Sequence, residues 1–573
     1  MANLKFNLLL PLLIFFVANS LSAQHLSGDW FGILDIPGMK LEIDLRVKEE
    51  GQLYTANMVV PDQGADLPIP ELAFKLPKLG ILYSGLVDAG FGFIFMTHLL
   101  QDGYIVVLQD VRARFMSEGQ FVDVRPYLPK KKSKTETNDN SDTYDTIDWL
   151  VNNVPGNNGR AGIYGVSYDG YYSTMALPSA HPALKAASPQ APVINWFLGD
   201  DWHHNGAFFL LDAFSFYSTI GRPRPAPTRN WPTEFEWPNQ DNYRFDAEDC
   251  YGALRTYEAI EKQNPATMSN RLVIGPWFHG QWTGGDADKM GNIHWGFNTA
   301  EHYKDVERRF FRHYLHGEGA LDLPEADIFV TGSNEWRSFD TWPPRNVSRQ
   351  NLYFQQAGGL SFSAPTVKSN YDEYVADPMK PVPYTEDVHR QRTRAYMTDD
   401  QRFAARRPDV MVYQTEPLVE EVTLTGPLTA NLFVSTSGTD ADYVVKLIDV
   451  FPNTLRNYPD NEKKVPMAGY QMLVHGEVMR GRFRESFESP QPFKPGKVTE
   501  VKFDIPDVAH TFKRGHRMMI QVQNSWFPLV DRNPQKFADI YQCSDSDFQK
   551  ATHRVYHDSE HPSHVQVWKL EDK

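Results

Sequence analysis

The chain has 573 residues, too many for one hydrophobic core, and the length points to about three or four domains. Apolar residues make up 41% and aromatics 13%, which excludes global disorder. The net charge of −15 repels phosphate backbones and argues against a nucleic-acid partner.

Residues 1–23 read as a secretory signal peptide. Lys5 supplies the positive start, and Leu8 to Val17 is an apolar run broken only by Pro11. Ser20, Ser22 and Ala23 follow as small residues, although cutting after Ala23 places Leu21 at the −3 position. An uncleaved membrane anchor is the alternative. The run is short for a membrane span, no second segment is long enough, and the mature chain is expected to be periplasmic or secreted, off the membrane. With export, Cys250 and Cys543 could form a disulfide or remain two free thiols.

Residues 24–80 alternate polar and apolar, most clearly over Met39–Val47, and predict a small antiparallel β module. From residue 81 the pattern changes. Tyr104–Leu108 is a continuous apolar run, expected to be a parallel strand buried on both faces. The lysines at 130–132 and 134 suit a solvated loop. Asp142 is placed to cap a helix whose face carries Tyr144, Ile147, Leu150 and Val151. Ala161–Tyr164 predicts a strand, Tyr171–Leu177 a helix, and Arg271–Ile274 another strand. Alternating strands and helices predict an α/β domain over 81–325, with a shortened cap at about 200–245. Beyond residue 325 short strands recur at Leu428–Val434, Tyr443–Val450, Val498–Phe503 and Met518–Val522. They predict an all-β sandwich or jelly roll over 326–573.

One segment carries chemistry. Gly165-Val166-Ser167-Tyr168-Asp169-Gly170 lies between a predicted strand and a predicted helix, as a nucleophile elbow does. The glycines permit a sharp turn. The serine hydroxyl then projects above the sheet, and the Tyr168 N–H faces the developing oxyanion. An ordinary glycine turn is the bland alternative. A serine needs a base and the base needs an orienting carboxylate. His279, just past the third strand in Gly275-Pro276-Trp277-Phe278-His279-Gly280, is the best placed histidine. Asp246 precedes it in the chain order that this fold uses.

Taken together, Gln109-Asp110-Val111-Arg112, Ser117-Glu118-Gly119, the serine elbow and Gly275-Pro276-Trp277-x-His279 resemble the family of cocaine esterase, X-prolyl dipeptidyl peptidases and α-amino-acid ester hydrolases. Asp440-x-Asp442, Lys446-Leu447-x-Asp449-Val450 and Gly515-His516-Arg517 extend the likeness into the C-terminal half. The resemblance implies an α/β-hydrolase domain, a helical cap and a jelly roll of galactose-binding type. It implies a triad of Ser167, Asp246 and His279, no cofactor, and a homo-oligomer assembled through N-terminal and jelly-roll surfaces. Within the family the chain is most similar to the α-amino-acid ester hydrolases. Asp201, Glu248 and Asp249 would form the carboxylate cluster that holds a substrate's α-ammonium group. The implied substrate is a small ester, amide or short peptide with a free amino group. A metal on Asp200, Asp201, His203 and His204 is an alternative that no paired ligand spacing completes, and a solvated acidic loop is the other.

Three departures bear on activity. The family's oxyanion tyrosine segment upstream of Gln109 is absent, and Tyr83 stands in the wrong context to replace it. A polar loop, Trp237–Arg244, precedes Asp246 where a buried strand is expected. Ala113 follows Arg112 where the family usually has glycine. Two readings follow: a working esterase or dipeptidyl peptidase, or a catalytically impaired member acting as a binding protein.

Overall fold

A computed structural model describes residues 28–36, 39–50, 53–60, 65–72, 79–86, 97–114, 117–133, 135–211, 250–264, 268–284, 286–389, 393–458 and 465–571. The expected signal peptide, the cap from 212 on, Asp246, Glu248 and Asp249 lie outside these. Two units are present, one of residues 1–81 and 148–160 and one of 82–147 and 161–573. Among the described residues no helix is long and apolar enough to cross a membrane.

The smaller unit contains an antiparallel meander, β1 (Gly28–Ile36), β2 (Met39–Glu50), β3 (Leu53–Val60) and β4 (Ala65–Leu72), paired in sequence order. Each strand pairs with the next because the connections are too short for a crossover.

The α/β region is built on β5 (Leu79–Leu86), β6 (Ile105–Asp110), β7 (Asn157–Val166) and β8 (Leu184–Gln190), in the order β6-β5-β7-β8. Helix α1 (Thr97–Gln101) leads into β6, α2 (Asp139–Asn153) precedes β7, and α3 (Tyr168–Met175) joins β7 to the parallel β8. Residues 105–108 of the apolar run lie in β6, which among the described residues stands at the edge of this sheet and is half-buried along its length rather than covered on both faces. Helix α2 begins at Asp139, not after Asp142. Asn138 caps it, with Oδ1 accepting the Ser141 N–H at 2.9 Å and its own N–H donating to Ser141 Oγ at 3.0 Å. Asp142 is held instead by Arg112 and Arg125, at 2.7 and 2.9 Å. Ile147 and Leu150 are buried on this helix, whereas Tyr144 is exposed.

Further along, β9 (His203–His204) and β10 (Ala207–Phe208) form a tight hairpin. The helix α4 (Cys250–Gln263) precedes β11 (Leu272–Ile274). After a second hairpin, β12 (Lys289–Met290) and β13 (Ile293–His294), comes α5 (Thr299–Phe311). β11 pairs in parallel with β14 (Ala326–Val330), which pairs with β15 (Glu335–Phe339).

The remaining strands are β16 (Val347–Phe354), β17 (Leu360–Ser361), β18 (Tyr371–Ala376), β19 (Met411–Gln414), β20 (Val422–Thr436), β21 (Asp442–Val450), β22 (Gln471–Arg480), β23 (Thr499–Phe512), β24 (Arg517–Gln523), β25 (Ala551–Tyr556) and β26 (His564–Leu570). They form a seven-stranded sheet, β17-β16-β26-β20-β25-β18 with β23 on β20, and a four-stranded sheet, β19-β24-β21-β22. Period-2 patterning makes the sandwich: Val501, Phe503 and Ile505 point inward while Glu500, Lys502 and Asp504 face water. The core contains Leu424, Leu432, Val445, Ile520 and Val565, all fully buried. β21 is covered on both faces. Tyr443, Val445 and Leu447 enter the sandwich core, and Val444 and Ile448 pack in a second cluster with Ala207 and Phe209 of the α/β region. The two domains thus share an apolar seam. His204 reinforces it by donating to Glu477 at 3.0 Å, as does the Leu210 N–H by donating to Leu529 O at 3.0 Å.

Candidate active site

β7 ends at Val166 and α3 starts at Tyr168, so the chain reverses within one residue. Ser167 takes φ 66° and ψ −123°, a backbone state that L-residues rarely adopt. Sterics explain the flanking glycines. A Cβ on Gly165 would stand 2.2 Å from Asp169 O, and one on Gly170 would stand 2.5 Å from Gln190 O. The Ser167 N–H donates to Gln190 O at 2.9 Å, and Ser167 O accepts from Tyr171 N–H at 3.0 Å. Tyr168 supplies the first amide of α3, at the turn that follows Ser167.

The Tyr168 side chain packs with Tyr171, Tyr172 and Trp202, and its hydroxyl donates to Asp123. Burial pushes its pKa far up, and the Asp123 hydrogen bond adds to this. Tyr171 donates to Asp139 at 3.0 Å, and Asp139 pairs with Arg125 at 2.9 Å. Asp123 carried no sequence signal, because a lone aspartate in a loop looks solvated. Ala113 sits at φ 58°, where glycine is favoured, so the third departure falls on a strained position. Tyr83 lies on β5, an inner strand of the sheet.

His279 follows β11 in a loop that its own residues staple. Gln281 Oε1 accepts the Phe278 N–H at 3.3 Å, and its Nε2 donates to Asp286 O and Lys289 O at 3.3 and 3.2 Å. Trp277 Nε1 donates to Thr299 Oγ1 at 2.8 Å. Gly280 has φ 78° and lets the chain turn into Gln281–Thr283. The Trp282 ring meets the His279 imidazole edge-on, with centroids 6.1 Å apart and planes at 89°. Trp282 Nε1 in turn donates to Gln190 Oε1 at 2.6 Å. Gln190 is thus bonded both to the Ser167 turn and to the residue that flanks His279. Neither Gln190 nor Trp282 was singled out from the sequence. Trp282, three residues past the histidine, was the available signal.

Asp201 lies in the loop after β8 and is 5% exposed. Its neighbour Trp202 packs in the same cluster as Tyr168. Asp200 has a local task. It accepts from the Ile194 and Asn195 amides at 2.7 and 2.6 Å, and from the Gly252 amide at the start of α4. Burial raises its pKa to about 6. His203 Nδ1 donates to Trp196 O at 3.0 Å, and His204 turns away to Glu477. Among the described residues no three His, Cys, Asp or Glu side chains come together as a ligand set. Cys543 is a free thiol that donates to Asp539 O at 3.3 Å.

Comparison with known proteins accords with this architecture. Residues 46–244 match the X-Pro dipeptidyl-peptidase (S15 family) profile, and 318–566 match the X-Pro dipeptidyl-peptidase C-terminal non-catalytic domain. The chain is 26% identical to cocaine esterase of Rhodococcus sp. (strain MB1 Bresler), over 90% of this chain and 96% of that one. Among solved structures it resembles an aminopeptidase from the marine sediment archaeon Thaumarchaeota archaeon, at 31% identity and a TM-score of 0.78, covering 96% of this chain and 98% of that one. An α-amino acid ester hydrolase labelled with selenomethionine matches equally, at 31% identity, a TM-score of 0.78 and the same coverage.

Proposed function

Because this chain belongs to the serine-hydrolase family of the S15 X-Pro dipeptidyl peptidases, cocaine esterase and α-amino-acid ester hydrolases, we propose that it cleaves esters or amides of α-amino acids through an acyl-enzyme on Ser167. The observation that carries the reading is the strained Ser167 at the turn between β7 and α3; a buried Asp201, whose neighbour Trp202 packs in the same cluster as Tyr168, supports it.

Ser167 Oγ attacks the acyl carbon while His279 takes its proton. The Tyr168 N–H receives the oxyanion. His279 then gives the proton to the leaving alcohol or amine, and the C–O or C–N bond breaks. Water repeats the sequence, its proton passing to His279 and then to Ser167 Oγ as the acid leaves. Asp246 orients His279. A carboxylate as enclosed as Asp201 favours a cationic group beside it, and the substrate's α-ammonium supplies one. Glu248 and Asp249 are assigned to the same cluster. Gly252, three residues after Asp249, donates its amide to Asp200, next to Asp201. No cofactor takes part. The apolar amino-terminal run supports export to the periplasm or beyond, which cell fractionation checks.

A fluorophosphonate probe tests the core of the reading. Wild type should label and Ser167→Ala should not. Folded wild type that fails to label would make the protein an impaired, binding member of the family. Turnover of an α-amino ester should exceed that of its des-amino analogue, and equal rates would remove the carboxylate role. The peptidase reading is favoured by the aminopeptidase likeness, and cleavage of an X-Pro anilide in preference to the ester would select it.

A further inference from the structure

The turn that holds Ser167 and the loop that holds His279 leave different strands, β7 and β11. Among the described residues these strands belong to separate sheets, so no ladder of backbone hydrogen bonds sets one against the other. Gln190, the buried last residue of β8, makes the connection. Its carbonyl oxygen accepts the Ser167 N–H at 2.9 Å. The same oxygen lies where a Cβ on Gly170 would come within 2.5 Å, so the first turn of α3 is pressed against it. Its side-chain Oε1 accepts the Trp282 Nε1–H at 2.6 Å, and Nε2 donates to Glu307 Oε1 at 2.8 Å and Ser188 Oγ at 3.1 Å. Glu307, itself buried on α5, accepts His98 Nε2–H on its other oxygen at 2.8 Å.

We propose that Gln190 and Trp282 are positioning residues that register the nucleophile against the base. The proposal rests on the reading of His279 as that base. The main chain of Gln190 holds the serine turn, and its amide holds the indole that walls one side of the imidazole. Only a side chain that accepts and donates at once fits between an indole N–H and a carboxylate, and glutamine does both. The two anchors also dictate a single amide orientation. The reverse would set N–H₂ against N–H and oxygen against carboxylate. A T-shaped indole restricts rotation of the imidazole plane, and that plane decides whether a ring nitrogen comes within about 2.6–3.2 Å of the hydroxyl in the reacting complex.

The test uses the full-length protein and the variants Trp282→Phe, Gln190→Met, Glu307→Ala and Glu307→Gln. Active sites are titrated to completion with a fluorophosphonate, and kcat, KM and the pH profile are measured on an α-amino ester. Trp282→Phe and Gln190→Met should titrate to wild-type stoichiometry yet lose about tenfold or more in kcat, with KM within about twofold. The acid limb of the kcat/KM profile should move, since the surroundings of the imidazole change. The double variant should lose no more than the worse single one, because both act through one bond. Glu307→Gln should recover most of the activity that Glu307→Ala loses. Unchanged kcat in both single variants would overturn the proposal. So would a parallel fall in stoichiometry and kcat, which marks a merely structural role. His279→Ala separates the two levels. If it keeps wild-type kcat, the reading of the base fails; if it is inactive while Trp282→Phe and Gln190→Met are normal, only the positioning role fails.

Discussion

Gly165→Ala bears most directly on the geometry of the nucleophile turn. A Cβ at 165 would stand 2.2 Å from Asp169 O, 2.4 Å from its carbonyl carbon and 2.9 Å from its Cβ. Carbon-to-oxygen contacts settle at roughly 3.3–3.6 Å, so the shortfall is about 1 Å. Asp169 cannot rotate away. It lies in the first turn of α3, and its carbonyl accepts Ser173 Oγ at 3.0 Å. Either α3 or the end of β7 must move bodily, and Ser167 lies between them. Overpacking of this kind costs about 1–3 kcal/mol in stability. A displacement of about 1 Å at a reacting group costs on the order of 10²-fold in rate. Urea unfolding and the second-order rate of fluorophosphonate labelling measure the two effects separately. Gly159→Ala is the control, since Gly159 has φ 76° with nothing within 4 Å of the new Cβ. It should lose only the left-handed penalty of about 1–2 kcal/mol and label at the wild-type rate. If Gly165→Ala also labels at the wild-type rate, the turn is not held by this contact and the reasoning is refuted.

Three further outcomes are expected. Ser167→Gly relieves a disallowed backbone state and should gain about 1–3 kcal/mol in urea unfolding while abolishing turnover; an unchanged or lower stability would contradict the strain argument. Lys446 is fully buried, bonded to Gln401 Oε1 at 2.9 Å, and burial lowers its pKa from 10.5 to about 7. Between those values the unfolded chain binds a proton that the folded protein has lost. Stability from this group therefore rises with pH, by at most about 1.4 kcal/mol per unit. Lys446→Met should remove that slope between pH 7 and 9, and parallel slopes in the two proteins would show that it does not arise there. Arg480 is buried between Asp442, at 2.9 Å, and Asp531. Arg480→Met leaves two buried carboxylates without their cation and should cost about 3–5 kcal/mol by urea unfolding; a loss under about 1 kcal/mol would mean that the carboxylates take up protons or water instead.

Local patterns read well where one interaction decides the outcome. Strand β23 of the seven-stranded sheet follows from alternation, because one of its faces is buried and the other is wet. The serine turn is legible because only glycine tolerates the approach of Asp169 and Gln190. Reading fails where a distant partner decides. Tyr104–Leu108 is apolar enough for an inner strand, yet among the described residues β6 stands at the sheet edge, since strand order depends on which strands arrive beside β5. Asp142 is a good cap by type, but Arg112 and Arg125 claim its carboxylate and Asn138 starts the helix instead. Ala326–Val330 is wholly buried and pairs in parallel with β11, a partner far back in the chain that no local pattern names.

By itself the sequence determined the α/β and sandwich classes, the serine turn and the histidine loop. Each of these is written in residues a few positions apart, through hydrophobic period, glycine spacing and turn chemistry. Tertiary structure alone decided what joins them. Gln190 is an unremarkable residue along the chain. It becomes the link between Ser167 and the neighbour of His279 only because β8 ends beside α3 and Trp282 folds over it. Hydrogen-bond partners 92 and 117 residues away leave no periodicity to read.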